Sequence, residues 1–311
     1  MEGGYGVSVF DRMIVGVMPI VPKPIVGFFS KRYIAGPEVA DGIAESRRLN
    51  AAGCMVTMDI LGEDVRKPED AVRARDTYLA LLPALHEAGI QGNISIKPTM
   101  LGLSISTDFA YENFRPVVAR ATELGTFVRI DMEDATTTDR TFDLYRLLRK
   151  DFDAVGVVLQ AMLRRTIEDA AELARMRANI RLCKGIYREP YAIAWHDPEI
   201  VRRSYLYALE ILLRGGSYVG IATHDERLVA EAMHLVHRLE LAPEQYEFQM
   251  LLGVTERLRE VIVARGHRLR VYVPYGKEWY AYSRRRLREN PKMAGTIARD
   301  ILGLSPDRRR R

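Results

Sequence analysis

Short apolar segments recur along the chain and are separated by longer stretches with helical periodicity. Each short segment is almost continuously apolar, which is typical of parallel strands covered on both faces. Eight such segments are present: MVTMDILG from Met55, ISIKPT from Ile94, FVRIDME from Phe127, VGVVLQAM from Val155, IRLCKGIY from Ile180, YVGIATHD from Tyr218, YEFQMLLG from Tyr246 and LRVYVPYG from Leu269. The pattern predicts eight buried parallel strands.

The stretches between these segments predict helices. In residues 69–89 the apolar positions fall on one helical stripe and Gly89 follows as a stop signal; the stripe comprises Ala71, Ala74, Tyr78, Leu81, Leu82 and Leu85. Residues 166–179 and 225–241 behave in the same way. Eightfold alternation of strand and helix is the signature of an α/β protein of the (β/α)8 TIM-barrel type.

The same pattern sets the expected domain boundaries. A leading helix over residues 37–52 begins the barrel domain, which we expect to span residues 37–304. Residues 1–36 form an N-terminal helical and apolar arm, and residues 305–311 form a basic disordered tail. No Gly-x-Gly-x-x-Gly follows any predicted strand, so the sequence does not favour a Rossmann domain.

Composition and charge narrow the class of protein. The chain has 311 residues, of which 48% are apolar and 28% charged, as in an ordinary soluble globular protein. Its net charge of +5 owes four charges to Arg308, Arg309, Arg310 and Arg311, so the body is nearly neutral and nucleic acid is not an expected partner. The two cysteines lie far apart in apolar stretches, which favours reduced thiols in a cytoplasmic protein.

The N-terminal arm is apolar without being a membrane span. Residues 10–29 contain three charged residues and three prolines, which exclude an ordinary spanning helix. Together with the basic tail, the arm predicts a weak peripheral contact with the inner face of the membrane.

Polar residues close the predicted strands, at the end where barrel enzymes carry their chemistry. They are Asp59, Lys97, Asp131, Gln160, Arg181, Lys184, Tyr187, Thr223, His224, Gln249 and Tyr272. Lone buried charges are costly, so several carboxylates and cations converging on one rim indicate a functional site.

Several kinds of chemistry fit this rim. Arg181 and Lys184 suit the anionic phosphates and reduced ring of a flavin. Lys97 or Lys184 is also placed for a Schiff-base aldolase, because a strand-end lysine is a common nucleophile in barrels. A metal hydrolase is weakly supported, since His224 has no His or Cys partner at ligand spacing, and no metal is expected. A non-catalytic scaffold is the remaining alternative.

An arginine cluster near the C-terminus helps to choose among them. In YSRRRLREN, Arg285 and Arg286 lie four and three residues before Glu289, so a helix would present two guanidiniums beside one carboxylate. Such a face complements an amino-acid zwitterion. We expect the last helix to lie over the active site with this face towards the pocket.

Long motifs in the same order also resemble a known family, the proline dehydrogenases, in particular their short monofunctional bacterial type. The resemblance runs essentially end to end and is carried by MDILGE, SIKPTMLG, RIDMED, VLQAML, RLCKGIYREP, ATHD, YEFQMLLG and VYVPYGKEWYAYSRRRLRENP. It implies a distorted (β/α)8 barrel that binds FAD and oxidises L-proline to 1-pyrroline-5-carboxylate by hydride transfer from the proline C5 atom. It also implies a membrane quinone as electron acceptor and pyrroline-carboxylate dehydrogenase as a potential partner.

The resemblance assigns roles residue by residue. It implies that Asp131 and Arg181 are catalytic, with Asp131 holding Lys97 in place. The substrate-binding residues it implies are Lys97, Tyr187, Leu251, Tyr272, Arg285, Arg286 and Glu289. The FAD-binding residues it implies are Met132, Gln160, Arg181, Lys184, Gly185, Ile186, Thr223 and His224. Ile186 stands where the family commonly has alanine, which puts the fine shape of the pocket in question.

Overall fold

The computed structural model describes residue 30, residues 32–280 and residues 282–283. Eight parallel strands close into a barrel in which each strand pairs with its neighbours in the chain and β8 pairs with β1. The strands are β1 (Met55–Ile60), β2 (Gly92–Ile96), β3 (Val128–Ile130), β4 (Val155–Gln160), β5 (Ile180–Cys183), β6 (Val219–Ala222), β7 (Tyr246–Leu251) and β8 (Leu269–Tyr275). The predicted (β/α)8 barrel is confirmed.

A helix precedes β1, and helices connect consecutive strands and cover the barrel. They are α1 (Val39–Ala51), α2 (Pro68–Glu87), α3 (Thr107–Glu123), α4 (Thr138–Leu148), α5 (Thr166–Arg175), α6 (Pro198–Arg214), α7 (Glu226–Arg238) and α8 (Glu256–Ala264). Short 3₁₀ helices at Pro98–Leu101 and Pro243–Gln245 precede α3 and β7. The predicted leading helix is therefore present as α1, which begins two residues later than expected.

The predicted stripe of α2 is its buried face. All six stripe residues are buried, all but Ala71 within the main core, and Tyr78, the largest of them, is fully buried. The helix ends at Glu87, and Gly89 follows with a φ of 66°, a conformation in which glycine avoids the strain of a side chain. The same apolar pattern that predicted the helix thus attaches it to the barrel.

The interior of the barrel contains buried polar side chains from several strands. Alternate residues of a strand face the same side, so Asp59, Ser95, Arg181 and Gln249 can enter the barrel while their neighbours pack against helices. All four are buried. The interior therefore carries charge from the middle of the barrel up to the C-terminal rim, where it positions the site.

Some expectations fall on residues outside this description. The basic tail, most of the N-terminal arm and most of the helix predicted after β8 lie there, so those boundaries stay predictions. Among the described residues, no helix combines the length and apolar character needed to cross a membrane.

Candidate active site

Five polar side chains from five strands meet at the C-terminal end of the barrel. Asp59 lies near the end of β1, Lys97 and Asp131 follow β2 and β3 directly, Arg181 lies on β5 and Tyr272 on β8. The structure therefore brings five of the eleven predicted rim residues together, in two groups.

The first group is a buried ion pair. Lys97 Nζ lies 3.1 and 3.3 Å from the two carboxylate oxygens of Asp59, which is fully buried. Burial alone would lower the pKa of Lys97, but attraction to Asp59 and Asp131 outweighs it and raises that pKa. Lys97 is therefore an ammonium at neutral pH.

The partner of Lys97 corrects one expectation. The resemblance assigns Asp131 to hold Lys97, but Lys97 Nζ donates its hydrogen bonds to Asp59. The reason is strand register: Asp59 on β1 pairs with Ser95 on the adjacent β2, two residues before Lys97. Asp131 acts on Lys97 only through its charge.

The second group surrounds Asp131. Its Oδ1 atom accepts hydrogen bonds from Arg181 Nη1 at 2.6 Å and from Ser95 Oγ at 2.7 Å. Its Oδ2 atom accepts one from the Tyr272 hydroxyl at 3.3 Å. The Arg181 guanidinium also lies 5.2 Å from the centroid of the Tyr272 ring. These bonds fix Asp131, Arg181 and Tyr272 in one rigid unit.

Arg181 is held from below as well. Its Nε atom donates to Gln249 Oε1 at 2.6 Å, and Gln249 Nε2 donates to Glu247 Oε1 at 2.6 Å. A carboxylate only accepts hydrogen bonds, so Glu247 fixes which end of the Gln249 amide faces Arg181. Gly220 makes room for this amide, since a Cβ there would collide with the Gln249 side chain.

Glu247 and Arg270 form the lower anchor of this column. Arg270 donates to both Glu247 oxygens, at 2.6 and 2.9 Å, and the Tyr218 hydroxyl donates to Glu247 at 2.7 Å. Burial would raise the pKa of Glu247, but Arg270 and the surrounding donors outweigh it and lower that pKa to about 2. The column therefore carries fixed charges at every physiological pH.

The rim residues from β4, β6 and β7 form a neighbouring surface. His224 Nε2 accepts the main-chain N–H of Leu251 at 2.8 Å, which places the proton of a neutral ring on Nδ1. Thr223 is buried and its hydroxyl accepts the main-chain N–H of Asp225. Gln160, at the end of β4, donates to the Glu133 carbonyl at 2.8 Å. The structure thus joins Leu251 to His224 directly.

The loop after β5 carries the remaining expected cofactor residues. Lys184 donates to Asp225 at 3.1 Å and is 40% exposed. Gly185 has a φ of 104°, and a Cβ there would lie 2.5 Å from Met162. Ile186 is exposed, whereas Tyr187 packs partly against the core. Met132, after β3, is buried.

These residues fit a flavin dinucleotide. Gln160 Oε1 is buried and has no hydrogen-bond partner, so an N–H donor there would satisfy it. Arg181 Nη2 makes no hydrogen bond within the described chain, and the bond to Asp225 uses one of the three Lys184 donors. The site therefore offers two cations, Arg181 and Lys184. It also offers a hydrogen-bond acceptor on Gln160 and, at Gly185, a turn without a side chain.

The alternatives fare less well. A Schiff-base nucleophile must be a neutral amine, whereas the raised pKa of Lys97 keeps it protonated beside Asp59. Among the described residues, no three His, Cys, Asp or Glu side chains are grouped to hold a metal ion. The raised pKa of Lys97 therefore disfavours Lys97 as a Schiff-base nucleophile and leaves the Lys184 alternative open.

A cavity of about 630 Å³ opens beside the cluster. It lies between the loops after β1 and β3 and the start of α4, and Tyr187 and Glu133 form part of its wall. Charges of both signs line it, including Glu63, Arg66 and Arg140, but the lining contains neither ion pair of the cluster.

Some site residues were predicted and others were missed. Arg285, Arg286 and Glu289 lie outside the described residues, so their roles stay predictions. Ser95, Glu247 and Arg270 were missed although each lies two residues before a predicted site residue on its strand. Period-two alternation would have pointed them into the barrel.

A closed parallel barrel with a buried ionic cluster at its C-terminal rim is the arrangement that barrel enzymes use for their active sites. The family profile described as proline dehydrogenase matches residues 43–299. Proline dehydrogenase from Deinococcus radiodurans is 36% identical over 278 residues, which is 88% of this chain and 90% of that one. Proline dehydrogenase 1 from Bacillus subtilis is 32% identical over 273 residues, with the same coverage of 88% and 90%. The chain belongs to the proline dehydrogenase family, and it is an oxidoreductase.

The solved structures agree on the fold. Proline utilization A from Bdellovibrio bacteriovorus matches with a TM-score of 0.81 at 24% identity, over 91% of this chain and 36% of that longer chain. The bifunctional protein PutA of Salmonella typhimurium is 28% identical and matches over 24% of its length. Membership of an enzyme family also rules out the scaffold alternative.

Proposed function

We propose that the chain oxidises L-proline to 1-pyrroline-5-carboxylate, with bound FAD as the immediate electron acceptor and a membrane quinone as the final one. The observation that carries the proposal is the buried rim cluster, in which Lys97 forms an ion pair with Asp59 and Arg181 forms one with Asp131. Family membership supports the substrate, and the fit of Gln160, Arg181, Lys184 and Gly185 supports the flavin.

The reaction is a two-electron oxidation of the pyrrolidine ring. A hydride leaves the C5 atom and a proton leaves the ring nitrogen, so that the bond between C5 and the nitrogen becomes a double bond. FAD supplies the hydride acceptor when bound. The work left to the protein is to bind the zwitterion, orient its ring and keep water away.

Lys97 is the described residue best placed to bind the substrate carboxylate. Its bonds to Asp59 use at most two of the three ammonium donors, so one remains for an anion. Arg285 and Arg286 complete the clamp in this proposal, on the strength of their sequence spacing. Tyr272, Tyr187 and Leu251 would pack against the ring.

The fate of the electrons and of the product rests on the family resemblance. We place the chain in the cytoplasm, with a weak contact to the inner face of the membrane where a quinone is available. The product, 1-pyrroline-5-carboxylate, is then a substrate for pyrroline-carboxylate dehydrogenase, which oxidises it further.

The colour of the purified protein tests the proposal. A yellow protein whose flavin absorbance falls on addition of L-proline is the expected result. A colourless protein that borohydride traps covalently with a carbonyl compound would instead support the Schiff-base alternative.

A further inference from the structure

Two aspartates at equivalent positions in this barrel behave differently. Asp197 and Asp225 precede α6 and α7, with nearly the same extended backbone, at φ and ψ of −74° and 123° and of −82° and 108°. Asp197 caps its helix by accepting the N–H groups of Glu199 and Ile200 at 2.8 and 3.0 Å. Asp225 makes no side-chain cap. The stabilisation that an aspartate normally gives a helix N-terminus is absent at α7.

The Asp225 carboxylate is directed to two cations instead. Its Oδ2 atom lies 2.7 Å from Arg202 Nε and 3.1 Å from Lys184 Nζ. Attraction to both cations outweighs burial and lowers the pKa of Asp225, so the carboxylate is charged at neutral pH. Asp225 thus links the loop after β5 to α6.

Arg202 is fixed from its other side. Its Nη1 atom donates to Glu199 at 2.5 Å. Arg227 Nη1 in turn donates to both carboxylate oxygens of Glu199, each at 3.0 Å. Charges therefore alternate along the contacts from Lys184 to Arg227. The exposed fraction is 40% at Lys184, 11% at Asp225, 28% at Arg202 and 65% at Arg227, so Asp225 is the member best shielded from solvent.

We propose that Asp225, supported by Arg202, is a positioning residue that holds the Lys184 ammonium in place for the anionic part of FAD. The proposal rests on the proposed function, because Lys184 is assigned to the cofactor there. A lysine has a flexible four-carbon stem, and restraining it before binding removes part of the entropy lost when the cofactor binds.

Simple electrostatics predicts the opposite direction. A carboxylate near an anionic cofactor repels it, so replacing Asp225 by a neutral residue would tighten binding if charge alone mattered. Positioning predicts weaker binding, because Lys184 and Arg202 both lose their shared partner. The sign of the change therefore separates the two accounts.

The test is the dissociation constant of FAD for the full chain, measured by fluorescence on cofactor-stripped protein. Asp225→Asn should weaken FAD binding about three- to tenfold, the scale expected for one side chain that must be ordered on binding. Thermal stability should not fall through a lost helix cap, since the Asp225 side chain does not cap α7. Arg202→Met should weaken binding in the same direction by less.

Two controls make the result specific. Asp197→Ala removes a cap that is in use, so it should lower the melting temperature and leave the FAD dissociation constant unchanged. In a Lys184→Met background, Asp225→Asn should have no further effect on FAD binding, because Asp225 acts through Lys184.

The outcomes are distinguishable. A wild-type chain that binds FAD while Asp225→Asn binds it equally or more tightly would overturn this inference and leave the proposed function standing. A full additional loss in the Lys184→Met background would overturn it as well. A wild-type chain that binds no FAD would refute the proposed function and the inference together.

Discussion

At the scale of single residues, the charge of Lys97 is decided by its neighbours rather than by its own chemistry. Burial costs an isolated ammonium several kcal/mol, and Asp59 offsets that cost by direct contact. Burial in turn raises the pKa of Asp59, which the charge of Lys97 opposes. The pair is stable only when both partners are present, so either substitution has a structural cost as well as a functional one.

Replacing Lys97 by methionine tests its role in binding the substrate. We expect kcat/KM for L-proline to fall about ten- to hundredfold, since a charge-assisted contact is worth roughly 1.5–3 kcal/mol. The loss should fall mainly on KM if the contact is the same in the ground and transition states. Steady-state kinetics on the folded, flavin-loaded fraction measures it.

Lys150→Met is the matched control, because Lys150 is exposed in the loop before β4, at the opposite end of the barrel. It should leave kcat/KM unchanged. Wild-type efficiency in Lys97→Met would show that Lys97 is a structural partner of Asp59 alone.

At the scale of elements, the turn after β5 has little space for a side chain. Gly185 has a φ of 104° and its missing Cβ would overlap Met162, so alanine there meets both backbone strain and a clash. We expect Gly185→Ala to destabilise the fold by about 1–3 kcal/mol and to weaken FAD binding. Chemical denaturation and FAD titration measure the two effects.

Gly125→Ala separates strain from crowding. Gly125 has a φ of 64°, but nothing lies within 4 Å of its missing Cβ. That variant should lose stability modestly and bind FAD normally. Equal effects of Gly185→Ala and Gly125→Ala on FAD binding would show that the turn after β5 is not part of the cofactor site.

The ion pair between β7 and β8 makes a prediction about acid stability. The pKa of Glu247 is lowered from 4.5 to about 2, so its carboxylate stabilises the fold fully above about pH 4.5. The contribution, about 3 kcal/mol at most, is lost as the pH falls from there towards 2. Urea unfolding at a series of pH values should show a slope in this window.

Glu247→Gln should lack that part of the slope, because glutamine does not titrate. The variant should also be less stable at neutral pH, since Arg270 then has no counter-ion. Identical acid slopes for the wild type and Glu247→Gln would mean that Glu247 is not the group that titrates.

The elements themselves could be predicted because burial determines their pattern. Seven of the eight apolar segments contain a whole strand, and the eighth, ISIKPT, overlaps β2, which begins two residues earlier at Gly92. Several segments also extend past the strand they predict; FVRIDME contains only the three residues Val128–Ile130 as β3. The surplus residues, such as Asp131, leave the ladder to form the rim. Composition marks a segment as buried without marking where hydrogen bonding between strands stops.

The partners within the site could not be predicted from one strand at a time. Asp59 and Asp131 were both visible as rim carboxylates, and only the register of β1 against β2 places Asp59 on Lys97. Likewise, Asp225 directly precedes α7, and the sequence there does not show that its side chain bonds to Lys184 instead of capping the helix. Pairings between distant segments depend on the closed barrel.

At the scale of the whole molecule, the barrel separates stability from chemistry. Apolar residues of the strands and helices form one continuous core, while the ionic column inside the barrel leads to the rim. Substitutions at the rim should therefore change binding and turnover more than global unfolding, unless they leave a buried charge without its partner.

Anaerobic mixing of the purified, flavin-loaded protein with excess L-proline tests the central claim most directly. Flavin absorbance and 1-pyrroline-5-carboxylate are followed together in a single turnover, without any added acceptor. The account predicts that the flavin is bleached and that one product molecule forms for each flavin reduced. Product formed without flavin reduction, or a flavin that stays oxidised in the presence of L-proline, would contradict it.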